Sequence, residues 1–346
     1  MNFHNILIKW YLQNKRDLPW RKTTNPYHIW LSEIMLQQTR VAQGMPYFFS
    51  FTEEFPTVKN LADASEEKIL KLWQGLGYYS RARNLHKTAQ FIANDLNGVF
   101  PDSYKELLKL KGVGEYTAAA IASFSYNEAV PVVDGNVFRV LSRYFDIETD
   151  IAMPTAKKEF TALAKELMPA DNPAIFNQAI MEFGALQCVP KNPDCAICVF
   201  NESCAGLHKK KVSQLPVKSK KVKITNRYFN YLVLEDALGN TFIQKRTSKG
   251  IWHNLYEFPL LETDSIVDFD FVFQNSQLFF PDYTINSIEK YSDAVAHKLS
   301  HQHLAIQFWK IKINNVLKDG IDQEKLKTFP FPIVIYNFIE NMQVNS

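Results

Sequence analysis

The chain is 346 residues long and 46% hydrophobic, with a formal net charge of +3. That length fits one large domain or, more readily, two, with apolar side chains enough for a full core. No run of about 18 apolar residues occurs, so no membrane span is expected. Met1 to Trp20 holds Lys9, Lys15 and Arg16 but no uninterrupted apolar run before a small-residue cleavage site, so no signal peptide is expected. The net charge is too small to demonstrate a polyanionic partner by itself.

Up to about residue 204 the pattern is helical. Phe3, Ile6, Leu7, Trp10 and Tyr11 recur with the spacing of an amphipathic helix. Asn25-Pro26 supplies an N-cap and a proline for the first helical position, opening a helix to about Thr39. Ala82, Leu85, Ala89, Ile92, Ala93 and Leu96 line one helix face, and Gly98 stops that helix. Further helices are expected near 102–110, 115–124, 135–145, 155–167 and 173–186. From His208 to Lys223 the chain holds Lys209, Lys210, Lys211, Lys218, Lys220, Lys221 and Lys223, and no acid appears from Ser203 through Leu234. This is a linker, either a solvated tether or one that also follows a phosphate backbone. Beyond about 224 come short strand-like runs, Tyr228–Leu234, Thr241–Lys245, Phe269–Phe273 and Leu304–Ile311. Leu238-Gly239-Asn240 suggests a hairpin between the first two. The fold class expected is therefore a mostly α N-terminal region followed by an α+β domain.

All four cysteines fall between Cys188 and Cys204, with the spacing Cys188-x6-Cys195-x2-Cys198-x5-Cys204. A disulfide-stapled secreted chain would spread them, so the window suggests a metal or cluster site in a reducing compartment, and a cytoplasmic location is expected. Zinc loops usually show two Cys-x2–4-Cys knuckles, and here there is one. Four cysteines at varied spacing suit an iron–sulfur cluster better, with zinc and unligated thiols as the alternatives.

Leu110-Lys111-Gly112-Val113-Gly114 lies between two helical segments. Gly112 and Gly114 around one apolar residue make a tight turn whose N–H groups, with the next helix N-terminus, suit a phosphate. Alone such a pair is more often an ordinary turn; the helix–hairpin–helix context strengthens it. Asp134 follows Val130-Pro131-Val132-Val133 and precedes a helix. It reads as an N-cap, and a carboxylate at a helix N-terminus is expected to stay ionised near neutral pH.

The hairpin, the downstream Asp134 and the cysteine spacing together resemble the endonuclease III superfamily of DNA glycosylases. Ser32-Glu33-Ile34-Met35-Leu36-Gln37-Gln38-Thr39, Arg16-Asp17-Leu18-Pro19-Trp20-Arg21 and Gly75-Leu76-Gly77-Tyr78-Tyr79-Ser80-Arg81 look like its adenine glycosylase branch, the MutY family. The resemblance is strong over about residues 5 to 205 and weaker beyond. It implies a helical glycosylase region over 1–205, a Lys-rich linker over 206–223 and a recognition domain over 224–346. It also implies a four-iron four-sulfur (4Fe-4S) cluster on Cys188, Cys195, Cys198 and Cys204. The partner it implies is double-stranded DNA carrying adenine opposite 8-oxoguanine or guanine; a monomer is expected.

Breaking an N-glycosidic bond needs an acid for the leaving base and a carboxylate for the sugar cation. Glu33 shares a helix face with Ile29 and Leu36, so it is expected to point inward, where burial would let it hold a proton. The resemblance makes Glu33 the acid that protonates adenine at N7 and Asp134 the stabilising carboxylate, with Tyr116 and Asn136 in support. Relatives with lyase activity carry a lysine where this chain has Tyr116, and a phenol cannot form a Schiff base. The implied enzyme is a monofunctional glycosylase that leaves an abasic site.

A flipped-out adenine leaves a gap. By resemblance Gln38 and Tyr78 intercalate there, and Thr39 and Leu76 touch the orphaned 8-oxoguanine. Arg81 and Arg83 are candidate phosphate holders, although isolated arginines are more often solvated surface. Gly250-Ile251-Trp252-His253-Asn254-Leu255-Tyr256-Glu257-Phe258-Pro259 resembles a Nudix fold, without the acidic element of active Nudix hydrolases downstream. Leu299-Ser300-His301 sits where the family commonly has Phe-Ser-His, so Ser300 and His301 are expected to read the lesion, with stacking from Leu299 in question. His297, His301 and His303 are alternatively metal ligands, or a plain surface strand. Two rival functions are a glycosylase of the same fold acting on oxidised pyrimidines, opposed by Tyr116, and a non-catalytic iron–sulfur DNA-binding protein, opposed by the Glu33 and Asp134 pair.

Overall fold

The computed structural model describes residues 2–219, 223–291 and 293–344. Lys220 and Lys221 of the expected linker lie outside the described residues. The chain divides into two units, Met1–Asp63 with Asn84–Lys220, and Ala64–Arg83 with Lys221–Ser346.

The helices in chain order are α1 (Phe3–Asn14), α2 (Pro26–Leu36), α3 (Val41–Glu54), α4 (Val58–Asp63), α5 (Glu66–Leu72), α6 (Ser80–Asp95), α7 (Tyr104–Leu107), α8 (Glu115–Tyr126), α9 (Gly135–Phe145), α10 (Pro154–Leu167), α11 (Pro173–Leu186) and α12 (Ala205–His208). Local chemistry sets most of their ends. Asn25 caps α2 by accepting from Tyr27 N at 2.9 Å, with Pro26 behind it. Pro154 and Pro173 open α10 and α11 in the same way. Gly98, at φ 78°, turns the chain after α6. In the first unit Phe3, Leu7 and Trp10 of α1 pack into one core with Val137 and Leu141 of α9 and Phe176, Ile180 and Phe183 of α11.

From the linker, Lys209 and Lys211 pair with Asp146, and Leu215 O accepts from Arg143 Nε at 3.0 Å. Ile151 N donates to Val217 O at 3.0 Å. Up to Ser219 this stretch is therefore laid along the helical unit instead of running as a free tether.

The second unit holds β1 (Thr225–Glu235), β2 (Gln244–Lys245), β3 (Tyr256–Glu257), β4 (Leu260–Thr263), β5 (Ile285–Lys290), β6 (Val295–Lys298) and β7 (Gln302–Ile313), with α13 (Phe269–Phe279), α14 (Gln323–Leu326) and α15 (Ile333–Val344). Its mixed sheet runs β4-β1-β7-β5, with β6 also on β7. β1 and β7 are parallel, with Tyr231 opposite Phe308. Leu232, Leu234, Trp309 and Ile311 form a core on this pair, closed by Val272 of α13.

Two expectations need correcting here. Phe269–Phe273 is helical, not a strand. Asp268 caps it by accepting from Phe271 N at 3.0 Å, and Phe269 and Phe273 stack at i and i+4 with centroids 5.9 Å apart. The alternation of apolar residues mimicked a strand, but the cap and the burial of Val272 and Ser276 obey the helical period. The turn at Leu238–Asn240 exists, with Gly239 at φ 80° and Asp236 Oδ1 accepting from Leu238 N and Asn240 N. It does not join a hairpin, because β1 pairs with β4 and β7 while β2 pairs with β3. A long apolar strand buries more between two neighbours than against one short partner.

Candidate active site and cysteine loop

In the helical unit α2, α8, α9 and α11 converge on a cavity of about 540 Å³ lined by Glu33, Tyr116, Asp134, Asn136 and Glu182, with Thr39 at its edge. Close approach is required of α11. A Cβ on Gly184 would stand 2.6 Å from Asn136 Cβ, so glycine lets α11 lie against the first turn of α9.

Glu33 lies within α2 and is 7% exposed. Burial pushes its carboxyl up to about 7, helped by the nearby Asp134 and opposed by a hydrogen bond with the Tyr116 hydroxyl and by Arg21. Burial also raises Tyr116 well above the usual phenol range, so it stays a donor to Glu33. Asp134 caps α9: Oδ1 accepts from Asn136 N and Val137 N, each at 2.8 Å, and Oδ2 from Asn136 Nδ2 at 2.7 Å. The sequence expectation considered only the helix N-terminus, which favours the ionised form. In the structure burial outweighs those bonds and raises its pKa. Two acids thus share one cavity, and burial raises both.

Sequence reasoning missed Glu182, Arg139 and Arg143. Glu182 is fully buried and accepts from Arg16 N, Nε and Nη2 at 2.9, 2.8 and 2.7 Å, and from Arg21 Nη2 at 2.8 Å. Against its burial, these bonds hold its carboxyl at about 2. The available signal was a lone acid on the apolar face of Pro173–Leu186, which demands a partner. Arg139 Nη2 donates to Asn136 Oδ1 and to Gly184 O, both at 2.7 Å, and its Nε donates to Cys188 O at 2.8 Å. One turn on, Arg143 donates to Val189 O at 2.8 Å, Pro190 O at 3.0 Å and Cys188 Sγ at 3.4 Å. Helix α9 therefore carries the cap of one site and the anchors of the next.

Cys188, Cys195, Cys198 and Cys204 are all free, half-buried and arranged around one small cavity with Arg143, Phe183 and Phe200. Burial pushes the Cys198 thiol up to about 11 and also raises Cys195 and Cys204, with the neighbouring cysteines adding to it. Glycine is needed where the loop closes, since a Cβ on Gly206 would meet Arg143 O at 2.4 Å. As placed, no group of three or more His, Cys, Asp or Glu among the described residues could hold a metal ion, His297, His301 and His303 included. Four sulfurs around one mainly apolar cavity, with an arginine on Cys188 Sγ, nevertheless suit a centre that needs four thiolates and compensating positive charge.

The other expected site residues are dispersed. Gly112, at φ 75°, forms the hairpin turn, and a Cβ there would meet Asn84 Cβ at 2.8 Å; Gly114 caps α8. Gln38 is exposed after α2 at φ 57°. In the second unit Tyr78 is exposed at φ 49°, and its hydroxyl hydrogen-bonds Ser300 in the turn between β6 and β7. His301 is exposed beside it. The Leu76 side chain is only 3% exposed, so it offers no free surface for a base. Neither arginine is a free phosphate holder. Arg81 is buried and donates to Leu76 O and Gly77 O, and Arg83 donates to His253 O at 2.8 Å. His297 packs on Trp252 with ring centroids 5.8 Å apart. No described helix is long and apolar enough to cross a membrane.

Residues 31–169 match the HhH-GPD superfamily of base excision DNA repair proteins, and residues 230–341 match the NUDIX domain. An adenine DNA glycosylase of Buchnera aphidicola subsp. Baizongia pistaciae is 37% identical over 317 residues, covering 91% of this chain and 87% of that protein. The human adenine DNA glycosylase is 41% identical over 222 residues, covering 62% of this chain and 41% of that one. Among solved structures, a thermostable thymine-DNA glycosylase superposes with a TM-score of 0.55 at 28% identity, covering 60% of this chain and 95% of that one. An endonuclease III–DNA covalent intermediate, at TM-score 0.53 and 22% identity over 60% of this chain and 94% of its own, shares the fold. With that 37% identity across nearly the whole length of both proteins, and with the base excision repair and NUDIX matches in the same order, this chain belongs to the adenine DNA glycosylase family of base excision repair.

Proposed function

We propose that the enzyme removes adenine mispaired with 8-oxoguanine or guanine in double-stranded DNA and leaves an abasic site. The observation that carries this reading is Glu33, buried with its carboxyl up to about 7 in a cavity shared with Asp134 and Tyr116. Glu33 gives its proton to N7 of the flipped-out adenine. The glycosidic electron pair then leaves with the base, and the Asp134 carboxylate, held by Asn136, stabilises the sugar cation until water adds at C1′. Tyr116 orients Glu33 and offers no amine for a Schiff base, so the strand is not cut.

Cys188, Cys195, Cys198 and Cys204 would hold a 4Fe-4S cluster. Fully ligated by these four thiolates, such a cluster would be net negative, with Arg143 beside Cys188 Sγ offsetting the charge; it would cross-link the loop and leave no open position for the substrate. Gln38 and Tyr78 fill the gap left by adenine. Thr39, Ser300 and His301 face the opposite base, and Gly112 and Gly114 offer N–H groups to phosphate. In this reading residues 1–205 perform the chemistry, 206–223 link, and 224–346 recognise the lesion. The enzyme acts as a monomer in the cytoplasm.

The test uses duplexes carrying A opposite 8-oxoguanine, A opposite G, or thymine glycol, treated with enzyme and then hot alkali. Cleavage is expected at the two adenine mispairs only after alkali. Cleavage at thymine glycol alone would overturn the assignment. Elemental analysis should find about four irons per chain; one zinc and no iron would remove the cluster.

A further inference from the structure

Segment Ala64–Arg83 belongs structurally with the C-terminal residues, and its side chains show how it is held. Glu66 accepts from Asn254 Nδ2 at 2.5 Å and Glu67 from the Tyr256 hydroxyl at 2.9 Å. Lys71 Nζ donates to Lys327 O at 2.5 Å and Phe329 O at 3.2 Å, and lies 4.8 Å from the Tyr336 ring. Gln74 Oε1 accepts from Phe331 N at 3.0 Å, while the Tyr79 hydroxyl donates to Phe331 O at 3.4 Å. Both backbone groups of Phe331 thus go to this segment, and Phe331 is fully buried. Burial pushes the Lys71 ammonium down, a cost that two carbonyls and an aromatic face offset.

Beyond these contacts the chain enters a turn with left-handed φ at Gly75 (96°), Gly77 (77°) and Tyr78 (49°). A tyrosine does not hold that conformation unless its surroundings impose it. At the tip the Tyr78 hydroxyl bonds Ser300, while Gly77 O accepts from Trp73 Nε1 at 3.0 Å and from Arg81 Nη2 at 3.1 Å. The base of the turn is fastened by Lys71 and Gln74.

We propose that Lys71 and Gln74 are positioning residues that set specificity: by gripping the Lys327–Phe331 stretch they fix Tyr78 beside Ser300, and so set the preference for 8-oxoguanine over guanine opposite adenine. The proposal rests on the reading of Tyr78 and Ser300 given above. It assigns the discrimination in part to two side chains that act through the Lys327–Phe331 stretch.

The experiment measures single-turnover adenine release by the full chain on A opposite 8-oxoguanine and A opposite G, alongside thermal melting. Lys71→Met and Gln74→Leu should each lower the ratio of the two rates about 5-fold or more, with the rate on A opposite G changed less than about 2-fold. Lys71→Arg keeps a donor and Gln74→Glu keeps the acceptor, so both should restore the ratio. Rates on both duplexes falling together with the melting temperature would reduce these residues to scaffold and overturn the proposal. An unchanged ratio in both loss variants, while Ser300→Ala still lowers it, would overturn the proposal and leave the reading of Ser300 standing. A wild-type enzyme without preference would remove that reading and the proposal together.

Discussion

Around Glu33 the functional side chains sit on long helices and pair within the same unit: Tyr116 with Glu33, Asn136 with Asp134, and Arg16 and Arg21 with Glu182. Around Tyr78 they sit on turns, in left-handed backbone, held by side chains that reach for distant carbonyls. The first arrangement buries charge to hold a proton in place; the second keeps an aromatic ring exposed but aimed. Chemistry at a glycosidic bond needs fixed pKa values, which need desolvation. Entry into a base stack needs an exposed side chain of fixed direction, which the backbone must supply.

The contrast can be broken most deeply at Glu33. Glu33→Gln keeps the shape and loses the proton, so single-turnover release should fall about 10²- to 10⁴-fold while DNA affinity stays nearly unchanged. A variant keeping more than about a tenth of the wild-type rate would count against Glu33 as the acid.

Glu182→Gln tests the scaffold of the cavity without touching Glu33. It leaves Arg16 and Arg21 without their buried carboxylate and should cost about 3–5 kcal/mol of stability by denaturant melts. The pH dependence has a definite sign. Glu182 is depressed to about 2, so its contribution is present above the unfolded carboxylate range, near 4.5, and is lost as pH falls toward 2. The variant's stability should therefore converge on that of wild type at the acid end.

A third measurement follows the proton itself. Glu33 is raised to about 7, so its acid form predominates below that pH and declines about tenfold per unit above it. Single-turnover rates should fall along that limb. The residual activity of Glu33→Gln should lack the limb; if the limb persists there, the titrating group lies elsewhere.

The smallest effect belongs to the exposed turn. Ser300→Ala removes one hydrogen bond from Tyr78 and should cost about 1 kcal/mol, about 5-fold, in preference for 8-oxoguanine over guanine, with little change in melting. A loss of both adenine reactions together would mean that the two regions are less separable than their construction suggests.

Most of the helical framework was legible because it is written locally: Asn25-Pro26, Asp134, Pro154 and Pro173 mark helix starts, and the apolar periods of α1 and α6 mark the faces. Glu33, Asp134 and Tyr116 were legible through motif resemblance, and the clustering of four cysteines was plain in the spacing. The second unit was less so. Phe269–Phe273 carries an alternation that fits a strand, and only the cap at Asp268 and the partner of Val272 decide for helix.

What the sequence determined by itself, then, is the set of chemical groups and the order of elements, since caps, periods and cysteine spacing act over a few residues. The tertiary structure decided how each group behaves. The net upward shift of Asp134 comes from desolvation by chain far from it in sequence, and the pairing of Glu182 with Arg16 and Arg21 spans most of the helical unit. Likewise Leu76 is buried while its neighbour Tyr78 is exposed, a difference that follows from left-handed backbone at Gly77 and Tyr78 and from the distant carbonyls of Lys327, Phe329 and Phe331. Burial and long-range hydrogen bonds are properties of the packed chain, and no local pattern of residue types encodes them.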